Sequence, residues 1–196
     1  MPRVTPEHRE ARRRQILDAA RRCFVVNGFH ATSMQDVLRE AGLSAGAVYG
    51  YFASKEDIVL AIASEALGEV TALLDGLAHD EPPPLAEALA RLTAELQRID
   101  DERGVAPIAV QAWGEALRNP ALAERARQIF ATARAAVRRL VRAYQARGEI
   151  DPAADPDDVT AVLISIVPGF FVQRAVLGAA VDAEVFRRGL AAVLDH

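Results

Sequence analysis

The chain has 196 residues, 51% of them hydrophobic and 26% charged, with a formal net charge of −4 and a single cysteine, Cys23. This is an ordinary globular composition, sufficient for one large domain or a small and a medium one. One cysteine excludes an internal disulfide framework and fits a reducing cytoplasm. The charge is uneven: residues 1–55 carry nine Lys/Arg against five Asp/Glu, and the remainder carries fourteen against twenty-two. A basic N-terminal quarter on an acidic chain suits contact with a polyanion, the alternative being a chance fluctuation.

Scarce aromatics and abundant alanine favour helices. Thr5-Pro6-Glu7 reads as an N-cap, a proline in the first turn and an acid near the positive helix end. The first helix is predicted to run to about Val26, with Ile16, Leu17, Ala20 and Phe24 on one face, and to stop at Asn27-Gly28. Ser33-x-x-Asp36 resembles a capping box and opens a short helix through Ala41. Gly42 permits a tight turn, Ser44 caps the next short helix, and Ser54-x-x-Asp57 opens a longer one to about Ala78.

The proline-rich stretch at 79–85 breaks the chain; helices to about Asp101 and from Pro107 to Leu117 follow. Asn119-Pro120 caps a long helix with apolar steps of three and four from Leu122 to Tyr144. Gly148 stops it, Asp155-Pro156 caps the next, and Asp182 caps the last. The predicted fold is all-α, with about nine helices and no strand. It divides into an N-terminal three-helix unit (1–55) and a larger helical unit (56–196).

The helix from about 157 to 177 is apolar nearly all round and must be covered on every side. With few helices left to surround it, a second copy of the chain is the expected cover, through Val159, Leu163, Ile166, Val172 and Val176. Phe186, Leu190, Val193 and Leu194 of the last helix complete the expected interface. Burial inside one chain is the alternative. Pro168-Gly169 should kink this helix. No run of about 18 apolar residues is visible in the sequence, and no membrane span is expected.

Two short helices joined at Gly42-Leu43 behind a basic helix form the pattern of a helix-turn-helix, whose second helix enters the DNA major groove. Ala45, Gly46, Ala47 and Gly50 let the backbone sit deep in the groove, while Val48 and Phe52 point to the core. Tyr49 and Tyr51 reach phosphates, and Lys55, the only lysine, offers an ammonium beside free backbone N–H groups. The alternative is a three-helix subdomain with glycines for close packing.

The run from Ile16 to Val59 strongly resembles the DNA-binding domain of TetR-type transcriptional regulators. The residues that carry the resemblance include Ile16-Leu17, Phe24, Gly28-Phe29, Thr32-Ser33-Met34, Ala41-Gly42-Leu43-Ser44, Val48-Tyr49, Tyr51-Phe52 and Lys55-Glu56. The resemblance implies a homodimer on a palindromic double-stranded DNA operator, usually repressing, with a C-terminal domain holding an unidentified, largely apolar effector. By position, Gln35, Ser44, Ala45, Gly46 and Ala47 face bases, and Ser33, Tyr49, Tyr51 and Lys55 face phosphates. Ala45, where a lysine is frequent, and Gly50 depart from common members. Arg3, Arg9, Arg12, Arg13 and Arg14 are candidates for further DNA contacts or for a solvated tail.

The expected effector cavity lies among helices 83–178. Trp113, Phe130, Phe170 and Phe171 are its expected walls, and Gln111, Gln173 and Arg174 its polar handles, the alternative for the aromatics being plain core. No cofactor or metal is implied: His8, His30, His79 and His196 have no metal spacing, and no phosphate-loop, nucleophile-elbow or dinucleotide motif occurs. A helical enzyme and a helical interaction protein are the rival classes. An activator is the rival within the family.

Overall fold

The computed structural model describes residues 5–79 and 82–194; Arg3, His196 and the side chains of His79 and Leu194 lie outside what it describes. Among the described residues there is no strand, and ten α-helices follow one another. They are α1 (Pro6–Ala31), α2 (Met34–Ala41), α3 (Ala45–Tyr49), α4 (Lys55–His79), α5 (Leu85–Arg103), α6 (Val105–Ala116), α7 (Pro120–Ala146), α8 (Pro156–Ile164), α9 (Ile166–Leu177) and α10 (Ala183–Leu194). The all-α reading holds.

Thr5 caps α1 by accepting the His8 N–H, and the expected face of Ile16, Leu17, Ala20 and Phe24 is buried. The helix does not stop at Val26. It breaks at Gly28, whose φ of +77° suits glycine, and resumes for one short turn. The break exists because Phe29 is drawn into the core, 5.6 Å from the Phe24 ring.

The capping box of Ser33 and Asp36 starts α2, Gly42 ends it in the left-handed region, and Ser44 caps the five-residue α3. α4 then meets α1 and packs on α5, α6 and α7. One contiguous cluster of buried side chains extends from Ile16 to Phe171.

α8 and α9 are one rod interrupted at Ser165. Pro168 explains the break. It has no N–H to give the Ile164 carbonyl, and its ring crowds that carbonyl. The rod, residues 156–180, is long and apolar enough by length and composition to cross a membrane, contrary to the expectation from the sequence, and 17% of its most apolar window is buried. Scattered Thr160, Ser165, Gln173 and Arg174 hid it.

The outer face of the rod carries exposed Val162, Val172, Val176 and Leu177, and α10 adds exposed Val185 and Val193. Of the interface residues expected from the sequence, Val172, Val176 and Val193 therefore lie outside. Leu163 turns inward to the cavity described below. Val159, Ile166, Phe186 and Leu190 are half-buried against the chain's own core, with the Phe186 ring 5.2 Å from Phe170. The division follows from helical geometry: adjacent residues point about 100° apart, so an apolar helix needs its partners assigned residue by residue.

Candidate nucleic-acid interface and effector cavity

α3 presents Ser44, Ala45, Gly46, Tyr49 and Gly50 to solvent while Val48 anchors it from beneath, fully buried. A Cβ placed on Gly46 meets nothing within 4 Å. Its smallness therefore serves no internal packing and leaves room for something outside. Ser33 and Gln35 of α2 are exposed on the same head, Ala47 is half-exposed, and Tyr51 packs partly against the core.

The starts of α2 and α4 open onto one shallow cleft lined by His30, Ser33, Met34, Ser54, Lys55 and Glu56. Each start is closed by a reciprocal cap: Ser33 with Asp36, and Ser54 with Asp57. The Ser33 hydroxyl and amide hold the Asp36 carboxyl below its ordinary value. The earlier amides of both helices have no carbonyl four residues back and are donors of the kind that hold phosphates.

Lys55 is placed differently from the sequence expectation. Its ammonium donates to the carbonyls of Phe29 (2.9 Å), Thr32 (3.2 Å) and His30 (3.4 Å), and lies 4.4 Å from the Phe29 ring centroid. All three donors are spent on the chain itself. Part of the charge on α1 is committed as well. Arg13 and Arg21 both grip Glu65 of α4 at 2.5 Å, and Arg22 pairs with Glu40. Cys23 is buried in the same helix, and burial pushes its thiol above the usual value.

Besides the grip on Glu65, two hydrogen bonds tie this head to α6 and α7. The Phe29 N–H donates to Oε1 of Gln111 on α6. Arg125 of α7 donates to one oxygen of Asp57, whose other oxygen closes the cap at the start of α4. The hydrogen bond from Arg125 is the main reason the Asp57 carboxyl lies below its ordinary value. An open cleft of about 780 Å3 separates the head's 49–53 segment from α7, with Arg13, Arg125, Gln128 and Thr132 on its sides and α4 as its floor.

On the other side of α4 lies a cavity of about 140 Å3, walled by α4, α5, α6, α7 and the α8–α9 rod. Trp113, Phe130 and Phe171 line it, as expected, and apart from the Trp113 indole no lining side chain carries a polar group. The expected polar handles lie elsewhere. Gln111 is at the head joint, Gln173 is exposed, and Arg174 is paired with Asp100 and Asp101. Phe170 is fully buried between Phe171 and Phe186. On α9 it is Val167, Pro168 and Phe171 that face the cavity, which turns 170, 173 and 174 away.

Sequence reasoning missed the joints to Gln111, Arg125 and Glu65. Their partners are 44 to 82 residues apart, and nothing local marks them.

Residues 16–62 match the family described as bacterial regulatory proteins, tetR family, and residues 84–196 match the family described as BetI-type transcriptional repressor, C-terminal. The chain is 36% identical over 120 residues to the regulator YfiR of Bacillus subtilis, a match spanning 60% of this chain and 58% of that relative. It is 28% identical to the regulator UidR of Escherichia coli K12 over 93% of this chain and 90% of UidR. The structure of Salmonella enterica GusR superposes with a TM-score of 0.77 at 27% identity, over 100% of both chains.

Proposed function

Since the chain belongs to the tetR family of bacterial regulatory proteins, and is a DNA-binding transcriptional regulator rather than an enzyme, we propose that it is a cytoplasmic homodimeric repressor released from a palindromic operator by a small, largely apolar effector. The observation that carries this reading is the pairing of an exposed, small-residue α3 with an apolar cavity across a shared helix, α4. Gly46 and Ala45 admit close approach to base edges; Tyr49, Ser33 and the first amides of α2 and α4 reach phosphates.

The exposed valines of α9 and α10 form the kind of apolar stripe that a second copy covers, and a two-fold axis there sets two heads against successive major grooves. The same cover answers the length and apolarity of the 156–180 rod.

The cavity has room for a ring about the size of benzene, below the roughly 300 Å3 of typical ligand sites. A larger effector has to push its walls apart. It therefore binds the expanded arrangement better, and that differential affinity moves α4 and the heads with it.

The test is selection of bound duplexes from a random library at two salt concentrations. Enrichment of a palindrome that weakens with salt and disappears in Tyr49→Ala is the expected result. No enrichment from folded dimeric protein would overturn the reading.

A further inference from the structure

The cavity and the open cleft beside α7 are two compartments of one space. Leu60 and Leu67 of α4 and Ile129 of α7 line both. Leu60 and Leu67 are seven residues apart, two turns along one ridge, and Ile129 faces that ridge from the opposite helix. These three aliphatic side chains stand at the boundary between the two compartments, along the α4–α7 seam. On one side is an apolar chamber in which a charged group would find no partner. On the other is a solvent-open cleft whose wall helix contributes Arg125, Gln128 and Thr132.

Arg125 is half-exposed at the rim of this cleft, and its partner is Asp57. A second anion arriving in the cleft would meet a guanidinium able to hold a carboxylate or phosphate by two parallel hydrogen bonds. It would compete directly with Asp57. Asp57 also closes the cap of α4, two residues from Lys55, which clamps the end of α1. The cleft is bounded on its far side by Tyr49, Gly50 and Tyr51, at the end of α3.

Building on the effector reading above, we propose that the effector is an amphipathic anion whose tail enters the cavity past Leu60, Leu67 and Ile129. Its carboxylate or phosphate headgroup takes Arg125 from Asp57. The tail supplies affinity by burial. The headgroup supplies the signal, by untying α7 from the start of α4 and occupying the space beside α3. A cationic headgroup would find no carboxylate among the cavity's lining residues, and in the cleft the one carboxylate, Asp57, is already paired with Arg125, with Arg13 lining the same cleft.

Trp113 is the only tryptophan in the chain and lines the cavity, so its fluorescence reports entry of a tail directly. Decanoate, decyl phosphate, decanol and decyltrimethylammonium, kept below their micellar concentrations, are titrated into the dimer. Both anions should bind more tightly than decanol, by about tenfold, the scale of a charge-assisted hydrogen bond. The tighter of the two identifies the headgroup. Arg125→Ala should bring the anions down to decanol without changing decanol itself, Arg125→Lys should recover part of the loss, and Asp57→Asn, by removing the competitor, should tighten the anions. Far-ultraviolet circular dichroism verifies that each variant is folded. Equal binding of all four probes, a preference for the ammonium, or anion binding indifferent to both residues would overturn the headgroup assignment while leaving an apolar effector cavity in place. No tryptophan response to any probe, decanol included, would overturn the cavity reading itself and this proposal with it.

Discussion

The ammonium of Lys55 lies 4.4 Å from the ring centroid of Phe29 and donates at 2.9 Å to the carbonyl of that same residue. One side chain thus grips both the ring and the backbone of the residue that follows the Gly28 break, and ties the end of α1 to the start of α4. The only lysine of the chain is a structural clamp inside the DNA-binding head.

Lys55→Met should therefore lower stability by about 1–2 kcal/mol, the scale of charge-assisted hydrogen bonds at a partly exposed site. Lys55→Arg should not restore it, because a planar fork does not match three converging carbonyls. Urea unfolding of the three proteins checks this. A Lys55→Met protein as stable as the parent, but weaker on DNA, would return the ammonium to a purely phosphate-binding role.

Gly46→Leu should leave stability within about 0.5 kcal/mol of the parent, as for surface substitutions that touch nothing, since its added atoms start in open space. It should also abolish operator binding, because the new side chain stands where the groove floor must come. Melting temperature and gel-shift measurements on the same preparation separate the two effects.

Val176→Arg should convert the proposed dimer to a monomer with unchanged helicity, since Val176 is 73% exposed in the single chain. Leu163→Arg, between three and four turns earlier on the same rod, should fail to fold properly, because it puts a charge into the cavity wall. Light scattering coupled to gel filtration reads the first outcome and circular dichroism the second. A dimer unaffected by Val176→Arg would move the two-fold axis elsewhere.

Ala133→Leu should part-fill the cavity. A gain of about 0.5–2 kcal/mol is expected, as for other cavity-filling changes, together with loss of response to any effector. The variant would then remain on its operator under conditions that release the parent.

The pH dependence of the α4–α7 tie has a defined sign. The carboxyl of Asp57 is lowered in the folded protein, chiefly by the hydrogen bond from Arg125. A group depressed on folding stabilises above its unfolded value and loses that contribution as pH falls through the folded one. The stability gap between parent and Asp57→Asn should stay constant from neutrality down to the ordinary carboxylate range and close only at more acid pH. Acid titrations of the two proteins, followed by circular dichroism, measure it.

The head was legible in the sequence because its determinants are local. Ser33 with Asp36, the left-handed Gly42 and the cap at Ser44 all act within four residues. Trp113, Phe130 and Phe171 were legible as walls because large apolar groups in a helical body have few other places to go. The positions of Lys55, Gln111 and Arg174 in the fold were not legible for a common reason. Each is a polar group whose partner is fixed by packing across the fold, at separations of 23 to 82 residues. The residue type indicates that a partner is required and says nothing of which one. The direction of Leu163 against Val162 was likewise invisible, because a helix apolar on all sides has no phase to read.

The joint at Gly28 and Gln111 bears on how far this regulator can be treated as interchangeable parts. A chimera cut cleanly after residue 55 would carry the Phe29 amide away from Gln111, Arg13 and Arg21 away from Glu65, and the Ser54 half of a cap away from its Asp57 half. The transplantable unit is a surface patch, drawn from α1, α4, α6 and α7 together. A graft that brings Asp57, Glu65, Gln111 and Arg125 along with the head should inherit its operator preference and still obey the recipient's signal. A graft defined by chain position alone should bind without listening.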